Sequence, residues 1–272
     1  MLPVELSLDT FAVRKSYYDK DGFSTTDYFD YLKRDGALYT DYFLSKESVM
    51  KSVMDARLHE FVDYGNKTCS FNSSEFRKIV TKIDALSSDN YYYADATLAP
   101  IGEDDRLLDD SRISGLDFFV KKRAAYGGAV TAAGRPGKKG GVNVMSAMCM
   151  AICKDSDCIE GAFEFLEYFS SHYTGMDREG MLLANKAQFE KSAAAMAERG
   201  VLYDSFGETV LISADDIETI KEAIDNSVSP YCPDAEVMEY VTYYTDKYFD
   251  GEMTLTKALN ELQSSVAKYL NE

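Results

Sequence analysis

The sequence predicts an α/β chain in which helix outweighs strand. Capped segments with apolar residues three and four apart recur from Ser45 to the C-terminus, β-type runs are few and short, and 46% of the 272 residues are hydrophobic. That content builds one large domain or two smaller ones. The first run, Val4 to Val13, reads as a strand. Ser45 caps a helix that carries Val49, Val53 and Met54 toward Leu58 and Phe61. Asn72-Ser73-Ser74-Glu75 reads as a capping box before Phe76, Ile79, Val80 and Ile83. The stretch from Leu86 to Leu107 is polar and irregular. Strands follow in "AYGGAVTAAG" and over Val144 to Ile152, the second as a buried strand. A helix opening near Ile159 carries Ala162, Phe163, Leu166 and Phe169, and Ser213 to Asp216 starts another with Ile217, Ile220 and Ile224. Val237, Tyr240, Val241, Tyr244 and Tyr248 mark the penultimate helix. In the last, Thr254 caps a stripe of Leu255, Leu259, Leu262, Val266 and Leu270.

Charge and motif patterns narrow the function classes. A formal charge of −17 argues against nucleic acid or anionic lipid as a partner. No apolar run is long enough to span a bilayer as a helix, and the opening Met1 to Val4 carries no secretion-signal pattern, which fits a chain cut from a longer precursor. Cys69, Cys149, Cys153, Cys158 and Cys232 lack zinc-ribbon spacing and read as small buried apolar residues with at most a bridge. His59 and His172 have no nucleophile beside them in sequence. "YYDKDG" lacks the first Asp and the closing Glu of a calcium loop, and Glu103, Asp104, Asp105, Asp109 and Asp110 read as a solvated loop. The sequence therefore indicates no metal, no cofactor and no catalytic residues.

"TAAGRPGKKGGVN", Thr131 to Asn143, is the one basic, glycine-rich stretch in an acidic chain. A phosphate-binding P-loop needs a glycine five residues before Gly137 and a hydroxyl after Lys138, but Ala132 and Lys139 stand there. The spacing of Gly134, Gly137, Gly140 and Gly141 also fails the dinucleotide pattern. The stretch reads as a turn or hinge.

Three pieces in order carry a family resemblance. They are "HEFVDYGNKTCSFNSSEFRKIV", "DCIEGAFEFLEYF" and "YFDGEMTLTKALNELQ". Together they resemble bacterial extracellular solute-binding proteins, the sugar receptors of ABC importers related to maltose-binding protein. The resemblance implies a periplasmic-binding-protein-like type II lobe, helix-rich with a small mixed sheet, in which two lobes are joined by hinge crossings. It places 1–134 in the C-terminal lobe, 135–183 in the other lobe, and 184–272 in a helical return. The family's first βαβ-rich segment has no counterpart in this sequence, so the resemblance implies a truncated receptor whose 144–170 segment has lost the partner of its apolar surface.

On that resemblance the chain binds a sugar or oligosaccharide without catalysis and delivers it to an ABC transporter permease. It implies an extracellular, cell-surface or periplasmic location and a lipid anchor on a cysteine outside this chain. "GRPGKKGG" becomes a hinge and cleft-rim loop, with Lys138 and Lys139 facing solvent. The implied ligand contacts are Tyr126, Arg135 and Asn143 near the hinge, with Tyr231 and Tyr240 near the penultimate helix. Met238 and Glu239 stand where an aromatic stacks on sugar in the family, and the chain has no Trp. Two other classes compete: a hydrolase drawing paired carboxylates from Asp117, Glu160 and Glu164, and a non-enzymatic module that binds partners through an acidic, tyrosine-rich surface.

Overall fold

The computed structural model describes residues 2–16, 18, 23–32, 45–86, 109–126, 128–138, 140–173, 180–203, 209–227 and 233–272. They divide into two compact units, each assembled from three stretches: Met1–Asp19, Asp110–Ala133 and Val142–Pro230 in the first, and Lys20–Asp109, Gly134–Gly141 and Tyr231–Glu272 in the second. The expected segment border at 183 is not among these borders. Leu6 donates its backbone N–H to Leu182 and Ala184 donates to Val4, which binds that part of the chain to the first strand and keeps it in the first unit. Nor is 1–134 a single block, since 20–109 joins the second unit.

In the first unit, β1 (Leu2–Arg14) is the shared strand. It lies between β4 (Asp109–Ile113) and β5 (Val130–Gly134) and also pairs with β6 (Asn143–Met150). The β1 to β6 ladder is antiparallel, running from Leu2 opposite Met150 to Asp9 opposite Asn143, with irregularities on either side of Glu5. Ten of its thirteen residues are buried and two are half-buried, because neighbours lie along both edges and helices cover its faces. Leu8, Ala12, Ile113, Phe119, Val120, Phe189, Ala193, Ile217 and Ile220 make the core. The covering helices are α4 (Asp117–Tyr126), α6 (Lys186–Arg199) and α7 (Ala214–Asp225), with a hairpin of β7 (Val201–Tyr203) and β8 (Thr209–Leu211) between the last two.

Two expectations for this unit change. The 144–152 strand is not buried: Ser146, Ala147 and Cys149 of β6 are exposed. The helix α5 (Ile159–His172) forms where expected, yet none of its residues is buried, and Ile159, Phe163, Phe165 and Tyr168 are all at least half exposed. Periodicity marks a face as apolar but not as covered. Cys149, Cys153 and Cys158 are likewise exposed free thiols rather than buried residues, because they sit on that same uncovered strand and the loop after it.

The second unit is mainly helical: α1 (Thr25–Leu32), α2 (Lys46–Arg57), α3 (Ser74–Asp84), α8 (Ala235–Phe249) and α9 (Leu255–Asn271), plus a short hairpin of β2 (Val62–Asp63) and β3 (Thr68–Cys69). α8 packs against both α2 and α9. Val49, Val53, Val237, Val241, Leu259, Leu262 and Val266 are fully buried along these contacts. Phe61, Phe71 and Phe76 meet with ring centroids 5.0 to 6.1 Å apart and anchor the hairpin to α3. The α3 cap differs from the expected box: Ser73 accepts from the Phe76 N–H, and Glu75 turns instead to Arg57 at 3.0 Å. Ser45, Asp234 and Thr254 cap α2, α8 and α9 through their side chains.

Candidate functional site

Within the glycine-rich stretch, Gly134 to Gly141 folds into a turn on the start of α1 and belongs to the second unit. Gly134 and Gly140 hold φ of 87° and 75°, backbone positions that favour glycine. A Cβ on Gly140 would collide with the backbone of Phe23, and one on Gly134 with the backbone of Gly141. The turn is closed by its own amides, from Arg135 to the Gly141 carbonyl (2.8 Å) and from Gly137 to the Arg135 carbonyl (2.8 Å). Thr25 secures it with its N–H on the Gly137 carbonyl (2.9 Å) and its hydroxyl on the Pro136 carbonyl (2.7 Å). Two of its N–H groups are thus spent on holding the turn, unlike the open amides of a phosphate cradle.

A charge network stands behind the turn. Arg57, almost fully buried, donates to the Thr25 hydroxyl, to both oxygens of Glu60, and to Glu75. Burial alone would lower its pKa, but the hydrogen bonds it donates to Glu60 and Glu75 outweigh burial and raise it. Burial would likewise raise Glu60, yet Arg57 and then Lys138 hold its carboxyl below the usual range. Lys138 is exposed and reaches Glu60 at 3.2 Å. Arg135 is buried in the turn, at 5% exposure.

A second group gathers at the start of α8. The Asp234 carboxylate accepts from the N–H groups of Glu236 and Val237 and from the Tyr269 hydroxyl at 3.1 Å. Tyr64, nearly half exposed on the β2 to β3 hairpin, is pushed up to about 12 by burial and by Asp234. The Tyr240 ring lies 6.3 Å from that of Tyr269, and its hydroxyl is raised by a hydrogen bond with Glu236. Tyrosine faces beside carboxylates suit a sugar, whose C–H faces pack on rings while its hydroxyls find acceptors.

The expected contacts thus divide between the units. Arg135 and Tyr240 belong to the second, while Tyr126 and Asn143 belong to the first. Tyr126 is the last residue of α4, with its side chain outside the described residues, and Tyr231 lies wholly outside them. Asn143 opens β6, buried and opposite Asp9. Sequence reading missed Tyr64, Asp234 and Tyr269, which only the fold brings together. Among the hydrolase candidates, Asp117 is held by Lys121 at 2.5 Å, and Glu160 and Glu164 lie exposed on α5.

The first unit also carries an open pocket of about 550 Å³, lined among the described residues by the start of α4, Gly180 and Leu183, one side of α6, and Leu202 of β7. Among the described residues no cluster of His, Cys, Asp and Glu is arranged to hold a metal ion, and no helix is long and apolar enough to cross a membrane.

Comparison with solved structures places the fold. An ABC transporter solute-binding protein from Thermotoga lettingae, bound with α-D-tagatose, matches 99% of this chain and 72% of its own, with a TM-score of 0.57 and 14% identity. An ABC substrate-binding protein from Listeria monocytogenes in complex with cycloalternan matches 99% of this chain and 71% of its own, with the same TM-score and identity. The cyclic α-maltosyl-1,6-maltose binding protein of Arthrobacter globiformis covers 98% of this chain and 71% of its own, at TM-score 0.56 and 15% identity. No family model and no curated protein matches the sequence. At such identities the likeness is one of fold: this chain has the periplasmic-binding-protein-like fold of ABC solute-binding proteins, helix-rich with small sheets.

Proposed function

We propose that this chain is a non-catalytic binding component of an ABC-type importer, which takes a sugar or oligosaccharide and presents it to a membrane permease outside the cell membrane. The observation that carries the reading is the match of 98–99% of the chain to solute-binding proteins whose bound or named ligands are tagatose, cycloalternan and a cyclic maltosyl-maltose. The tyrosine and carboxylate group around Asp234 supports it, because that chemistry suits carbohydrate. The reading takes the Gly134 to Gly141 turn as a place where the chain crosses from one unit to the other. It keeps Tyr126, Arg135, Asn143, Tyr231 and Tyr240 as proposed contacts and adds Tyr64 and Tyr269.

The test is thermal unfolding with D-tagatose, maltose and cyclic glucooligosaccharides, followed by chromatography of each sugar afterwards. Ligand at a hundredfold excess over its dissociation constant stabilises the native state by about 2.7 kcal/mol, a rise of roughly 5 °C or more. We expect such a rise with one sugar class, lost in Tyr240→Ala, with the sugar recovered intact. Cleaved sugar would replace the receptor by a hydrolase, and no rise with any sugar would end the carbohydrate reading.

A further inference from the structure

We propose that α5 is the contact element of a weak two-fold dimer, in which its uncovered seam packs antiparallel against the same seam of a second copy of this chain. The helix carries two seams side by side. Ala162, Leu166, Phe169 and the C-cap Tyr173 stand four, three and four residues apart and form the half-buried side turned to the protein. Phe169 packs on the core of the first unit, and the buried Tyr173 donates its hydroxyl to the Glu5 carboxylate of β1 at 2.5 Å. Gly161, Phe165, Tyr168 and His172 repeat the same spacing one residue earlier, and all four are exposed. Steps of four, three and four are the repeat by which one helix seats another, so the second seam is patterned for a helix.

A second α5 fits because the seam complements itself when reversed. With the two-fold axis between Phe165 and Tyr168, each Phe165 meets Tyr168 of the other copy, and Gly161, lacking a side chain, faces the larger His172. The rings are already ordered: Tyr168 stacks on His172 with centroids 4.1 Å apart, and Phe165 lies against Phe169 at 5.8 Å. Little rotamer freedom is therefore lost on contact.

The acids of α5 leave this approach open. At about 100° per residue, Glu160 and Glu167 lie roughly 110° or more around the helix from the centre of the seam, and only Glu164 borders it. In the antiparallel arrangement Glu164 comes beside Ser171 of the other copy, so no two carboxylates are opposed. Each exposed ring offers only about 100 Å², and a standard interface takes roughly 800 Å² per partner. The dimer is accordingly weak, with a dissociation constant on the order of 100 μM. The chain's charge of −17 opposes it further until salt screens the repulsion.

Sedimentation equilibrium at about 0.1 and about 1 M NaCl tests this with Phe165→Lys, Tyr168→Glu and the variant carrying both. The wild-type dissociation constant is expected to fall as salt rises, and each single change to raise it about tenfold or more. The double variant keeps the wild-type net charge and brings each new ammonium to the new carboxylate of the other copy. It should therefore associate more tightly than either single variant at low salt and lose that gain at high salt. Phe163→Ser, on the other flank of α5, should change the constant by no more than about twofold. Circular dichroism establishes that each variant is folded. A wild-type chain that stays monomeric at about 1 mM in both salts overturns the proposal and leaves the seam to a different polypeptide. A double variant no tighter than the single ones overturns the antiparallel pairing, and a loss in Phe163→Ser equal to that in Phe165→Lys reduces the seam to general stickiness. Sugar binding can succeed or fail in the same preparation without altering this outcome.

Discussion

A Cβ on Gly140 would land on the backbone of Phe23, and its φ of 75° already disfavours a side chain. Gly128, in contrast, has nothing within 4 Å of such a Cβ. Gly140→Ala is therefore expected to cost more than about 2 kcal/mol in urea unfolding, while Gly128→Ala stays within about 0.5 kcal/mol. Equal effects would show that the turn yields easily. Asp246 on α8 gives the opposite sign of effect. Burial first, then Glu47 of α2 and Asp250, push its carboxyl from 3.8 up to about 6. A raised acid binds its proton longer in the native than in the unfolded state. Its ionisation thus subtracts from stability as pH rises from 3.8 to about 6, and the loss stays constant above that. Because the side chain keeps some contact with water, the expected gain from Asp246→Asn is about 1 kcal/mol at pH 7, falling to nothing near pH 4. Urea midpoints at the two pH values measure this, and a gain independent of pH would refute it.

At the scale of elements, α7 shows how a cap can also join helices. Ser213 and Asp216 form a reciprocal capping box, and Asp216 also receives two guanidinium hydrogen bonds from Arg123 of α4, at 2.8 and 2.9 Å. Burial alone would raise Asp216, but Arg123 and Ser213 hold it below 3.8. Its contribution is complete above that pH and lost as the pH falls through the lowered native value. Ser213→Ala is expected to cost about 1 kcal/mol, the worth of one cap. Asp216→Asn is expected to cost about 3 kcal/mol, because it also removes the partner of Arg123. Similar losses in both would mean that the cap alone matters. The helix and its Ser213 start were legible, since a cap followed by Ile217, Ile220 and Ile224 is a local pattern. The link to Arg123 was not, being 93 residues away in sequence. The same limit governs the tyrosine group: Tyr240 stands out at the start of a helix, whereas Tyr64, Asp234 and Tyr269 meet only after α8, α9 and the hairpin have packed. Glu75 was misread because the cap is Ser73 rather than Asn72, which puts Phe76 at the third helical position and leaves Glu75 to pair with Arg57.

For the molecule as a whole, α5 sets net charge against exposed apolar surface. Phe163, Phe165 and Tyr168 are 64%, 54% and 63% exposed on a helix with no buried residue. Such a surface is an association hazard, while a net charge of −17 makes copies of the chain repel one another. That repulsion is screened once the Debye length falls from about 10 Å at 0.1 M salt to about 3 Å at 1 M, whereas burial of aromatic surface is not. Raising salt should therefore increase self-association, measured by sedimentation velocity, and the triple change of Phe163, Phe165 and Tyr168 to Ser should abolish the increase. The same substitutions should leave the urea midpoint nearly unchanged, within roughly 1 kcal/mol for three exposed sites, since none of the rings is buried in the folded chain. A large loss of stability would mean that these rings contribute to the fold as it stands. Association that falls with salt would instead trace it to opposite charges, and the aromatic face of α5 would then be a bystander.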